Sequence, residues 1–286
     1  MSTDTKRHAI LQVRWGQMAY QKTLIAPGQV LRVGRAPAEG LGLPHDAHMA
    51  AEQFELAWSG RRAWMHDLKG PSGTLLEGEP VEHGEVFNGS WLRAGQTDFS
   101  VYLERTTPPS PPAQPDLPEV AAHKAQALEC LRGQKTPLYA ILDAARSPRI
   151  LELLHESVEP YCSLYEGPKG EALAGMAPYL VSLPNKDSWL LEALVQEGWA
   201  AAWGIYLTSP LPVLQVRRHF RKLLMVEAES IEGRLYFRFY DPRVLHIFLP
   251  TCQPDMKKEF FGEVERFILS GTSGELVEIP FVEPKS

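Results

Sequence analysis

Between Thr106 and Pro118 the chain reads Thr-Thr-Pro-Pro-Ser-Pro-Pro-Ala-Gln-Pro-Asp-Leu-Pro, six prolines in thirteen residues. Each proline removes an amide donor and holds its backbone extended, so this stretch can enter neither a helix interior nor a central strand. It predicts a semi-rigid spacer. The spacer divides the 286 residues into segments 1–105 and 119–286, both long enough to bury a core of their own. The first carries 11 basic and 12 acidic residues and the second 18 and 22, for a net charge of −6 overall. Neither half has the basic excess that nucleic-acid binding requires, so nucleic acid is not expected as a partner.

Before the spacer, short runs suited to strands alternate with turns. His8–Arg14, Met18–Ile25, Val30–Arg35, Phe54–Ser59, Ala63–Asp67, Thr74–Glu77, Ser90–Ala94 and Phe99–Glu104 are separated by glycine, proline or aspartate. Many short strands at regular spacing predict an all-β sandwich. Within that pattern lie Gly34-Arg35 at a strand end, Asp46 and Phe54-Glu55-Leu56, and Asp67-Leu68 leading to Ser72-Gly73-Thr74 and Glu77-Gly78.

Their order and spacing resemble the forkhead-associated domain, a β-sandwich that reads phosphothreonine through a rim of loops, over residues 8–105. The resemblance places Arg35 at the family's phosphate-contacting arginine, with Ser72 and Thr74 in the following loop. Among the altered family positions, the serine is Ala50, the structural histidine is Gln53, and the asparagine before Gly-Thr is Ser72. The later Asn-Gly is Glu77-Gly78. Hydrogen bonds to a charged group contribute roughly 1–3 kcal/mol each, so losing two donors predicts weak phosphate binding. Two roles stay open, a protein-docking or spacing module and a working phosphothreonine reader.

After the spacer, helices and strands alternate, predicting an α/β or α+β domain over 119–286. Helices are expected over Val120–Arg132, from Pro148 behind a Ser147 cap, over Trp189–Glu197 behind Ser188, and from Pro242 behind Asp241. Strands are expected over Leu138–Asp143, Tyr161–Glu166, Ala177–Leu183, Ala200–Thr208, Arg234–Tyr240 and Glu275–Val282. In Arg234–Tyr240, Leu235, Phe237 and Phe239 alternate with Arg234, Tyr236, Arg238 and Tyr240, predicting one apolar face and one of arginine and tyrosine. Arg217, Arg218, Arg221 and Lys222 crowd one predicted helix, a solvated basic face or a docking patch for an acidic segment. Asp143, Arg238 and Arg243 suit an internal ion-pair and capping set.

The runs Leu138-Tyr-Ala-Ile-Leu-Asp143, Ser163-Leu-Tyr165-Glu-Gly, Ala177-Pro-Tyr179, Trp203-Gly204, Arg217–Leu224 and Tyr236-Phe-Arg-Phe-Tyr-Asp-Pro-Arg243 resemble, in that order, the adaptor/chaperone family of bacterial type VI secretion. The resemblance spans about Pro137–Leu269. It implies a protein that holds a secreted effector and helps load it onto the VgrG spike, with no catalytic residues. The partner-contact candidates are Arg217, Arg218, Arg221, Lys222, Arg234, Tyr236, Arg238 and Tyr240.

No enzymatic motif is expected to operate. His155, Glu156 and Glu159 lack a second histidine at ligand spacing, so no metal is expected. Gly40-Leu-Gly42 opens no dinucleotide fingerprint, and no other cofactor motif is found. Cys130, Cys162 and Cys252 form no paired motif and suit a reducing cytoplasm. The most apolar stretch, Trp199–Leu207, is too short to span a bilayer. The expectation is a cytoplasmic, non-enzymatic adaptor, with a phosphothreonine-dependent signalling module as the alternative.

Overall fold

The computed structural model describes residues 7–16, 18–70, 72–109, 116–228 and 231–282, with side chains described outside 226–228 and 231–235. The chain forms two compact units. The first joins the N-terminal region through Pro108 to the segment His155–Pro160; the second comprises Pro109–Leu154 and the residues from Tyr161 onward.

Among the described residues the first unit contains eleven strands: β1 Ala9–Val13, β2 Lys22–Ile25, β3 Val30–Gly34, β4 Leu41–Gly42, β5 Phe54–Trp58, β6 Ala63–Asp67, β7 Thr74–Leu76, β8 Glu79–Pro80, β9 His83–Val86, β10 Trp91–Ala94 and β11 Thr97–Leu103. One sheet runs β2-β1-β11-β10-β7-β8 and the other β4-β3-β5-β6-β9. Phe54, Leu56, Trp58 and Met65 from one sheet share a core with Leu11, Leu92, Phe99 and Val101 from the other. Phe54 meets Phe99 edge to face at 5.7 Å. In β5, alternate residues Phe54, Leu56 and Trp58 are fully buried, the period-2 pattern that fixes register in a sandwich. The eight strands expected from sequence are all present, β6 with the expected bounds and the others with altered ends. The three that were not expected, β4, β8 and β9, are two to four residues long and lack an apolar run.

A short strap from the C-terminal sequence completes this unit. The Glu156 carboxylate, 3% exposed, accepts from Asn88 Nδ2 at 2.7 Å, from the backbone amides of Thr106 and Thr107 at 2.8 Å each, and from Thr107 Oγ1. Lys22 Nζ donates to the carbonyls of Ser157 (2.6 Å) and Glu159 (3.0 Å), and His155 stacks on Tyr102 at 4.5 Å. Thr106 and Thr107, expected as the first residues of the spacer, therefore belong to the sandwich. At its other end Asp116 pairs with Lys124, inside the following helix. Residues 110–115 lie outside the described residues.

The second unit is built on an antiparallel sheet of order β13-β14-β12-β15-β18-β19. Its strands are β12 Leu138–Asp143, β13 Tyr161–Ser163, β14 Pro178–Ser182, β15 Gly204–Thr208, β18 Arg266–Ser270 and β19 Leu276–Pro280; a separate hairpin pairs β16 Met225–Ala228 with β17 Ile231–Tyr236. The helices are α1 Pro118–Arg132, α2 Pro148–His155, α3 Gly167–Ala172, α4 Trp189–Gly198, α5 Val213–Leu223, α6 Pro242–Thr251 and α7 Pro254–Phe261. Every residue of β12 is buried, so both faces of the sheet centre are covered. Tyr139, Ile141, Ile205, Leu207 and Phe267 pack with Phe220 of α5, Leu245 and Leu249 of α6, and Phe260 and Phe261 of α7. At Gly204 a Cβ would come within 2.0 Å of the Ile141 carbonyl oxygen, so only glycine lets β15 lie this close to β12.

The helix starts follow their caps: Ser188 Oγ accepts from the Leu191 amide and Asp241 from the Arg243 amide. One expected strand is corrected. β17 ends at Tyr236, and the following residues turn into α6. Phe239 (0% exposed) and Tyr240 (3%) are both buried, so the alternation expected to expose Tyr240 stops at the strand end. Elements α3, α7, β16 and β18 were not expected from sequence.

Candidate functional sites

The sandwich rim is assembled around one buried amide. Arg35 follows β3, and its backbone amide donates to the Ala50 carbonyl at 2.7 Å. Gly34 is required for that approach, because a Cβ there would stand 2.1 Å from the Ala51 carbonyl oxygen. Gln53, where the resemblance expects a structural histidine, is 0% exposed. Its Oε1 accepts from the Ala50 amide (3.0 Å) and from Ser72 Oγ (3.4 Å). Its Nε2 donates to the Gly73 carbonyl (3.0 Å), and also reaches Asp67 and Thr74. A single side chain thus ties the loop before β5 to the loop before β7.

Of the three rim candidates, Arg35 is exposed, and no described residue forms an ion pair with it. Ser72 is exposed, its hydroxyl turned to Gln53. Thr74 is corrected: it is 1% exposed and its hydroxyl donates to Asp67 at 2.6 Å, so it braces the rim instead of facing a ligand. Lys69, exposed at φ 62° in the same loop, was not singled out from sequence. Glu77, which stands in place of the later Asn-Gly asparagine, accepts from the Trp91 amide at 2.9 Å.

Of the phosphate donors that the resemblance implies, one exposed guanidinium and one hydroxyl remain at the rim. The full chain is expected to bind phosphothreonine peptides more weakly than roughly 100 μM, each lost tenfold requiring only about 1.4 kcal/mol. A peptide-library screen checks this. A phosphate-dependent ligand of micromolar affinity that Arg35→Ala abolishes would contradict it.

In the second unit, the motif residues divide into scaffold and surface. Arg217 Nε donates to the Ser163 carbonyl at 2.8 Å and its Nη1 to Glu166 at 3.1 Å; Arg221 Nε donates to the Leu164 carbonyl at 3.1 Å and also pairs with Glu166. These two arginines pin the segment after β13 to α5, so half of the expected basic patch is engaged internally. Arg218 and Lys222, one turn apart on α5, are exposed and form no ion pair among the described residues. The Arg234 side chain lies outside the described residues.

Arg238 pairs with Asp143, a carboxylate only 1% exposed that also caps the short 3-10 turn after β12. Asp241 holds Arg243 through Nε (2.9 Å) and Nη2 (2.6 Å). Both acids are buried beneath partly exposed guanidiniums, the internal ion-pair and capping arrangement expected from sequence. Tyr236 is 56% exposed and meets Tyr165 at 5.7 Å, whereas burial pushes the Tyr240 phenol well above its usual pKa. The available surface of the motif is therefore Arg218, Lys222, Tyr236, Arg238 and Arg243.

Burial pushes the Cys162 thiol up to about 11, so it is protonated and a poor nucleophile near neutral pH. All three cysteines are free. Among the described residues no helix is long and apolar enough to cross a membrane.

The strand order of the first unit is that of an all-β sandwich, joined to an α/β unit of a different class. Residues 138–259, which belong to the second unit apart from His155–Pro160, match the family described as DUF4123, a domain of unknown function. Comparison with curated proteins finds no match. Among solved structures, the chain is similar to an FHA domain studied for phosphothreonine-dependent interactions, at 23% identity and TM-score 0.31, over 36% of this chain and 99% of that one. It is also similar to the FHA domain of CT664 from Chlamydia trachomatis, at 15% identity and TM-score 0.31, over 33% and 96%. An FHA domain of a hypothetical protein from Arabidopsis thaliana aligns at 19% identity and TM-score 0.33, over 39% and 98%.

Proposed function

We propose that this protein is a non-enzymatic adaptor of type VI secretion, which holds an effector and promotes its loading onto the VgrG spike. The observation that carries this reading is the DUF4123 match at 138–259, lying inside the region whose motifs resemble the adaptor/chaperone family. The disposition of charged groups supports it. Asp143, Asp241, Glu166, Arg217 and Arg221 are engaged in scaffolding, while arginine and tyrosine, residue types favoured at interface anchors, stay available at the surface. In this reading the sandwich is an accessory protein-docking module, and the protein acts in the cytoplasm.

Deleting the gene is expected to stop secretion of one effector while the tube protein is exported normally. Quantifying both proteins in culture supernatants checks this. Wild-type export of every effector would end the adaptor reading, and collapse of tube export would make the protein a core assembly factor. Arg35, exposed and without an ion pair among the described residues, favours a second reading, a phosphothreonine-dependent signalling module. A micromolar phosphopeptide at the rim, with effector export independent of the gene, would select it.

A further inference from the structure

The second unit has an apolar groove that none of the motifs announces. Its floor is three aromatic rings from three elements: Phe237 after β17, Phe248 of α6 and Phe260 of α7. Phe237 and Phe248 meet at 4.6 Å, and Phe248 and Phe260 at 5.4 Å. Leu223, Met225 and Met256 form the walls, enclosing a cavity of about 430 Å³ that opens to solvent. Met225 is 37% exposed and Met256 50%, although each would be more stable covered. Methionine over a phenylalanine floor is an adaptable lining, able to repack around different apolar side chains.

The charges at the rim are asymmetric. Lys222 stands on the α5 side and Glu259 on the α7 side. Along α5, Leu214 (71% exposed), Arg218 and Lys222 follow at four-residue spacing, one stripe of about 12 Å at 1.5 Å rise per residue. Both cations of that stripe are without an acidic partner among the described residues, because Glu166 is taken by Arg217 and Arg221. An apolar trough beside a short stripe of unneutralised cations matches an elongated amphipathic partner better than a compact small molecule, which would fill the trough and leave the stripe unused.

The geometry points to this groove as the docking site for an amphipathic helix of a partner protein. That helix seats two or three large apolar side chains over Phe237, Phe248 and Phe260, turns an acidic flank toward Arg218 and Lys222, and turns a neutral or basic flank toward Glu259. The identification of the helix as part of a carried effector rests on the adaptor reading; the groove's preference for such a helix does not.

The test uses the full-length protein and two synthetic helical peptides of about five turns. Both carry the same leucine and phenylalanine stripe, one with glutamate and the other with lysine on a single flank. Fluorescence anisotropy is expected to show micromolar binding of the glutamate peptide and at least tenfold weaker binding of the lysine peptide. Met256→Glu, at an exposed position and with its melting temperature verified, is expected to weaken the glutamate peptide at least tenfold. Lys222→Glu is expected to reverse the preference. Equal binding of both peptides, indifference to Met256→Glu, or no binding of the glutamate peptide at millimolar concentration would overturn the inference. So would a concentration-dependent dimer, seen by sedimentation, that Met256→Glu dissolves, since the occupant would then be a second copy. A failed peptide titration with effector export still dependent on the gene removes the groove and leaves the adaptor. A successful titration with gene-independent export does the reverse.

Discussion

Replacing Glu156 with alanine is expected to destabilise the sandwich unit by about 3–5 kcal/mol, the range for removing one member of a buried charged network. Four donors lose their acceptor at once: Asn88 Nδ2, the amides of Thr106 and Thr107, and the Thr107 hydroxyl. At 3% exposure, water cannot replace the carboxylate without opening the strap. Against a total domain stability of roughly 5–15 kcal/mol, such a loss populates the unfolded unit measurably. Denaturant midpoints, with hydrogen exchange at the Thr106 and Thr107 amides, give the readout. Glu156→Gln, which keeps an acceptor oxygen but loses the charge, should fall between wild type and alanine. A loss below about 1 kcal/mol for the alanine variant would show that the strap contributes little.

The same unit should lose stability between pH 6.5 and pH 4. Burial, with the nearby positive charges of Lys22 and Arg14 adding to it, lowers His155 from 6.5 to about 4. Its folded value lies below its unfolded value, so on acidification the unfolded chain takes the proton first. The associated stability is complete above about pH 6.5 and is lost on the way down to 4, up to about 3 kcal/mol for a shift of this size. Lys22 acts at higher pH. Burial brings it from 10.5 to about 7 against the opposing pull of Glu159 and Glu104, so stability rises further as pH climbs above 7.

Asp46 and Asp98 contribute in a lower window. Burial raises both, yet hydrogen bonds from Thr97 to Asp46 and from Arg93 to Asp98 bring each carboxyl below 3.8, and their stabilisation fades only under about pH 4. His155→Phe, which retains a ring to stack on Tyr102, should therefore flatten the profile between 6.5 and 4 and leave the steeper acid limb. An unchanged slope in that variant would assign the acid sensitivity elsewhere.

Features legible in the sequence were local ones. Alternating burial in β5, the cap-plus-proline start of α6 and the serine cap of α4 are each specified within a few residues, and they appear where expected. The Arg234–Tyr240 strand was misread because alternation persists through Tyr240, whereas the backbone turns after Tyr236 and buries consecutive aromatics. The sites depended on long-range pairing. Arg217 and Arg221 read as a surface patch, since their neutralising partner, Glu166, lies about fifty positions away. Gln53 could be placed opposite the family's histidine, but not its five-way bridging of two loops. Thr74 belonged to the right loop, and only the fold shows that its hydroxyl turns inward to Asp67. The phenylalanine groove collects residues from three elements, of which α7 itself was not anticipated.

The strap at His155–Pro160 has a consequence for inheritance. It sits within the stretch matched by DUF4123, yet it belongs to the compact unit of the sandwich. A crossover in the proline-rich spacer would exchange the sandwich while leaving behind the glutamate that its Asn88, Thr106 and Thr107 require. An incoming sandwich would meet a buried carboxylate without donors, and the displaced one would carry donors without an acceptor. The halves of this gene are thus joined by more than a peptide bond, and substitutions at Lys22, Asn88, Glu156 and Ser157 should arise together along a lineage.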